Sequence, residues 1–150
     1  MTRLKKATCA NCPSNRFITF FFCVVNPSTG EVRYANAGHN PPVLVRASGE
    51  VEMLAGGGPV LGIVPIAPYC ESAAHLDAGD MLVLYSDGVT EANNPEFEEF
   101  GEERFAHLLR EHRRESSANV VQAVTRAVAE FTSGAPQADD ITLAVAKRLG

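Results

Sequence analysis

The feature that most restricts the fold is the stretch FITFFFCVVNPSTGEVRYANA, residues 17–37. An apolar run stops at Asn26-Pro27-Ser28-Thr29-Gly30, and a second run returns from Glu31. Residues of those types favour a tight reversal, so the two runs read as strands of an antiparallel hairpin. A parallel crossover needs a dozen or more connecting residues, which this turn does not provide. The pattern recurs. Val43 to Arg46 turns at Ser48-Gly49 and returns over Val51 to Leu54, and Tyr69 to Leu76 turns at Ala78-Gly79-Asp80 into Met81 to Ser86. Arg16 to Val25 lacks polar alternation and predicts a strand buried on both faces. Glu31 to Ala37 places Val32 and Tyr34 on one face.

The periodicity then changes. Met1 to about Ala10 reads as the end of a helix, broken by Cys12-Pro13-Ser14-Asn15. In FGEERFAHLLREH, Phe105, Leu108 and Leu109 fall at helical spacing, and Glu102 and Glu103 suit the first turn. In SSANVVQAVTRAVAEFTSG, Ser116 or Ser117 can cap a helix whose buried stripe is Val120, Val121, Val124, Val128 and Phe131, with Gly134 past its end. DDITLAVAKR closes the chain as a strand. Hairpins, then helices, then a strand predict an α+β domain with largely antiparallel sheets, helices on at least one face and a second layer on the other.

The length of 150 residues suits one domain, residues 1–150, with a real core. A hydrophobic share of 45% excludes a disordered chain. Net charge is −5 with no long basic cluster, which argues against a nucleic-acid partner. The longest apolar run, residues 17–25, is far short of the roughly 20 residues that cross a bilayer. MTRLKK is followed by ATCANCPSN, which is no signal-peptide core. The expectation is a soluble cytoplasmic protein with no membrane partner.

Two carboxylates draw attention. Asp87 follows the apolar run Leu82 to Tyr85, and Asp139 precedes the last strand. If those strands are antiparallel neighbours, both carboxylates meet at one rim. Hard cations such as Mg²⁺ and Mn²⁺ take oxygen ligands and keep several waters. Two such ions about 3.5–4 Å apart orient a water for in-line attack on phosphorus. Gly88 would let the backbone turn sharply beside an ion. The alternative stands beside this: Asp-Gly is a common turn, and Asp before a strand is ordinary. His39, between Gly38 and Asn40, could coordinate a metal or bind phosphate, but more often such a histidine is a turn residue bonded to backbone. His75, His107 and His112 are scattered and read as structural. Cys9 and Cys12 form C-x-x-C without a second ligand pair, and Cys23 and Cys70 sit singly in apolar runs as small hydrophobes. Gly56-Gly57-Gly58 is followed by neither Lys-Ser/Thr nor a helix and fails the phosphate-loop pattern.

YANAGHNPPVLV (34–45), GGGPVLGI (56–63), LVLYSDGVTEA (82–92) and QADDITLAV (137–145) occur in that order. The ordered set resembles the SpoIIE-type branch of the metal-dependent (PPM, protein phosphatase 2C-like) serine/threonine protein phosphatases. The resemblance implies a sandwich of two antiparallel β-sheets flanked by helices. It implies two Mn²⁺ or Mg²⁺ ions and hydrolysis of phosphoserine or phosphothreonine on proteins. In bacteria the substrate is often a phosphorylated anti-sigma-factor antagonist, in sigma-factor signal transduction. By resemblance Asp87 and Asp139 are metal ligands, with Gly88, Asp140 and His39 as supporting positions. Asn36, Gly38 and His39 match a signature with a structural role.

The chain also departs from the family pattern. An early-strand aspartate, an Asp-Gly pair that bridges the metals, and an Asp-x-x-Gly-His-Gly-like stretch would precede residue 16. Nothing there resembles them, and Asp77 and Asp80 come too late in the order. The expectation is the C-terminal two-thirds of such a domain, with metal binding weakened, an open apolar face, and an exposed sheet edge that invites dimerisation. Three readings follow: a phosphatase, inactive or weakly active as this chain; a non-catalytic remnant that binds a regulatory partner; and a gene fragment whose start is placed too late.

Overall fold

The Asn26 side chain builds the first reversal. Its Oδ1 accepts from the backbone N–H of Ser28 at 3.0 Å and of Thr29 at 3.3 Å, and its own N–H donates to Glu31 O at 2.8 Å. Gly30 closes the turn at φ 83°, a left-handed conformation that glycine adopts without steric cost. A computed structural model describes all residues except Met1, Cys12, Ser14 and Pro65. In chain order its elements are α1 Thr2–Asn11, β1 Phe20–Val25, β2 Glu31–Ala37, β3 Val43–Val45, β4 Val51–Met53, β5 Ser72–His75, β6 Met81–Tyr85, α2 Asp87–Thr90, α3 Gly101–Glu111, α4 Ser117–Thr132 and β7 Leu143–Lys147. They form two compact units, residues 1–41 with 55–75 and residues 42–54 with 76–150.

The first unit holds a three-stranded antiparallel sheet, order β1-β2-β5. Val32 and Tyr34 are buried as their shared face predicts, at 1% and 5% exposure. The expectation that Arg16 to Val25 is a strand buried on both faces is corrected. The strand starts at Phe20, and Phe22 and Val24 are 52% and 56% exposed. β1 pairs only with β2, so it is an edge strand whose apolar composition is not matched by cover among the described residues. The expected strand from Tyr69 likewise begins only at Ser72. Cys23 is half-buried, and burial pushes its thiol up. Cys70 is exposed, so it is no core hydrophobe. The C-x-x-C pair and the break at 12–15 fall partly outside the described residues.

The glycine-rich segment packs where a side chain would not fit. A Cβ on Gly57 would lie 2.1 Å from Asn36 O, and its φ is 125°. Gly58 N–H donates to that same Asn36 oxygen at 2.8 Å. The glycines allow the loop to lie against β2, a close approach of two backbones.

The second unit holds a four-stranded antiparallel sheet, order β4-β3-β6-β7. β6 lies inside it, and Met81, Leu82, Val83 and Tyr85 are all buried, which is why its sequence shows no polar alternation. Val43, Val45, Met81, Val83 and Tyr85 meet Phe105 and Leu109 of α3 and Val120, Val124 and Val128 of α4 in one apolar cluster. Complete burial of each large side chain there stabilises by about 1.5–3 kcal/mol. Tyr85 and Phe105 rings lie 4.7 Å apart and tilted. Ser116 caps α4, its Oγ accepting from Asn119 N–H at 3.2 Å. Ser133 and Gly134, both left-handed at φ 47° and 84°, end it. The turn of helix α2 directly after β6 was not anticipated.

β6 carries a carboxylate beyond each end. Before it, Asp80 is 2% exposed. Its Oδ1 accepts from Ala47 N–H at 2.8 Å, and its Oδ2 from Asp77 N–H and the Arg46 guanidinium, both at 2.9 Å. Its backbone carbonyl accepts from Arg148 N–H at 3.0 Å. Burial alone would push the carboxyl up, but these donors outweigh burial and hold it below the usual carboxylate range. Asp80 is a structural staple, consistent with its lateness in the motif order.

Candidate metal centre

The other end of β6 is built differently. The β6–β7 register ends at Tyr85↔Leu143. Ser86 extends the grip. Its N–H donates to Thr142 O at 3.0 Å, and its Oγ donates to Asp140 O at 2.8 Å and accepts from Thr142 N–H at 2.8 Å. Asp87 then opens α2, and Asp139 lies just ahead of β7. The antiparallel pairing therefore brings both aspartates to one rim of one sheet. The contact is close: a Cβ on Gly88 would lie 2.5 Å from Asp140 O and 3.2 Å from Asp139 O. Glycine at 88 is required for that approach, which is a different demand from the sharp turn anticipated for it.

Neither aspartate is tied up as Asp80 is. Asp87, half-buried, accepts at Oδ1 only from the adjacent Gly88 N–H, at 3.0 Å, among the described residues. Asp139, exposed, accepts at Oδ1 only from Asp140 N–H, at 2.7 Å, among the described residues. Each keeps an oxygen available to a ligand. Asp140 is exposed, and its backbone carbonyl takes the Ser86 hydroxyl. A groove of about 360 Å³ opens beside the rim, walled in part by Gly88, Val128, Thr132, Pro136, Asp139 and Ile141.

His39 stands in the first unit. Asn36, 4% exposed, accepts at Oδ1 from His39 N–H and donates through Nδ2 to His39 O, both at 2.8 Å. The ring Nδ1 lies 3.3 Å from Thr19 Oγ1. His107 Nε2 lies 3.4 Å from Glu111 Oε1 and His112 Nδ1 lies 2.9 Å from Glu115 Oε1, each a local pair on its own segment. Ser86 was not singled out from the sequence, and Asp80 was named there only as a turn residue too late in the motif order. For Ser86 the available signal was a hydroxyl at the end of a buried strand. For Asp80 it was a carboxylate preceding one.

The donor chemistry fits a hydrated hard cation, which takes one or two carboxylates and keeps waters. It does not fit a bridged pair of ions. Among the described residues no three His, Cys, Asp or Glu side chains cluster for a metal.

Two antiparallel sheets with helices in this order are the fold of the PP2C-type phosphatase domains. The PP2C domain of SiaA from Pseudomonas aeruginosa superposes with a TM-score of 0.81 at 24% identity, over 97% of this chain and 58% of that one. The phosphatase domain of SpoIIE from Bacillus subtilis, presoaked with manganese, gives 0.70 at 15% identity, over 98% and 72%. The chain belongs to the SpoIIE family: the model for stage II sporulation protein E matches residues 1–149. Phosphoserine phosphatase RsbU of Bacillus subtilis is 31% identical over 150 residues, 99% of this chain and 44% of RsbU. The chain thus spans less than half of that relative. No helix among the described residues is long and apolar enough to cross a membrane.

Proposed function

We propose that residues 1–150 contribute to a cytoplasmic phosphoprotein phosphatase domain, with Asp87 and Asp139 holding Mn²⁺ or Mg²⁺ and a phosphoserine or phosphothreonine on a regulatory protein as substrate. An anti-sigma-factor antagonist is the expected kind of substrate. The observation that carries this reading is the convergence of the two aspartates where Gly88 abuts the Asp139–Asp140 peptide. Family membership and the activity named for RsbU support it. When bound, such a cation supplies an activated water and charge stabilisation at phosphorus. The protein's part is to present two carboxylate oxygens at a fixed rim, and the adjoining groove has room for a phosphorylated side chain.

A second reading, a non-catalytic partner-binding module, is favoured by the absence of a third clustered ligand among the described residues. Phosphate release from a phosphoserine-bearing antagonist separates the two. The phosphatase reading expects slow, Mn²⁺-dependent release that falls at least about tenfold in Asp87→Asn. Release indifferent to Mn²⁺ and to that substitution counts against it. Binding of the phosphoprotein with no release favours the module.

A further inference from the structure

We propose that Ser86 is a positioning residue, whose hydroxyl sets where Asp139 stands relative to Asp87. The inference rests on the metal reading above. A serine hydroxyl offers one donor and two acceptor sites. Here it donates to Asp140 O and accepts from Thr142 N–H, both at 2.8 Å, so it grips the incoming chain on either side of residue 141. These bonds lie beyond the last register pair, Tyr85↔Leu143, and beside the one backbone bond that follows it, Ser86 N–H to Thr142 O at 3.0 Å, so the hydroxyl adds the contacts that reach past Thr142 to Asp140. Residues 136–142 are all exposed, so side-chain packing does little to fix them. Ser86 is the chain neighbour of Asp87, so the residue next to the first candidate ligand grips the segment that carries the second. The grip also holds the Asp140 carbonyl against Gly88, where no Cβ would fit.

Losing the hydroxyl leaves Asp140 O and Thr142 N–H to water, which exposed groups tolerate. The consequence is therefore a misplaced Asp139 and not an unfolded domain. Groups bonded directly to metal ligands shift affinity by about 10–100-fold, and a backbone grip one residue removed from the ligand is expected at the low end of that range.

The test is calorimetric titration with Mn²⁺ of wild type, Ser86→Ala and Ser86→Thr, with hydrogen exchange of the Thr142 amide in the metal-free proteins. Ser86→Ala is expected to weaken Mn²⁺ about tenfold and to speed exchange at Thr142 by a similar factor. Its melting temperature should stay close to that of wild type. Ser86→Thr, which keeps the hydroxyl, should recover both. Wild-type affinity and protection in Ser86→Ala would overturn the role while leaving the metal reading intact. Equal losses in folded Ser86→Ala and Ser86→Thr would also overturn it, because the hydroxyl would not be the agent. A flat titration of wild type would remove the metal reading and this role together.

Discussion

Asp80→Ala is expected to destabilise the second unit by about 2–4 kcal/mol, the cost of removing a buried carboxylate and the hydrogen bonds it accepts. The substitution removes one partner each from the Ala47 and Asp77 N–H groups and from the Arg46 guanidinium, which keeps Glu52 at 3.2 Å. A fall in Tm on the order of 10 °C follows for a chain of this length. The effect also depends on pH. The folded carboxyl is held below its usual range, so its contribution is complete above the unfolded value of about 3.9 and is lost as pH falls through the lower folded value. Melts of wild type and Asp80→Ala should therefore lie apart at neutral pH and converge in acid. A constant gap across that window would show that the carboxylate's charge does not matter.

Gly57→Ala is expected to cost about 2–4 kcal/mol, combining backbone strain at φ 125° with overpacking. The added methyl would meet the Asn36 carbonyl at 2.1 Å, and that oxygen accepts from Gly58 N–H. The loop would have to withdraw from β2 and lose the bond. Urea unfolding measures the cost. A midpoint equal to that of wild type would mean that the loop has slack which the close contact does not suggest.

Much of this architecture was legible because local chemistry and tertiary context agree. The Asn26–Gly30 reversal and the unbroken apolar run of β6 state their environment in the sequence, as does most of the expected α4 stripe: Val120, Val124 and Val128 are buried, whereas Val121 and Phe131 are only half-buried. β1 misled because apolar composition reports what a strand can bury, whereas exposure depends on its neighbours. Phe22 and Val24 sit on an edge strand. That β6 and β7 are antiparallel neighbours, with Asp87 and Asp139 flanking them at one rim, was legible only as a conditional in the sequence. Asp80 and Ser86 were hidden for a shared reason. Their partners Arg46, Ala47, Asp140 and Thr142 are remote in sequence and carry no spacing signal. The glycines at 57 and 88 were visible as residues, but the backbones that crowd them were not.

In the proposed site Asp87 and Asp139 hold one cation between them. Mn²⁺ titration of wild type, Asp87→Asn, Asp139→Asn and the double substitution separates shared from independent ligation. Shared ligation predicts weak binding by wild type, loss in each single variant, and little further loss in the double, because either change alone dismantles the site. Additive losses, or undiminished binding in either single variant, would contradict a common ion at the β6–β7 rim.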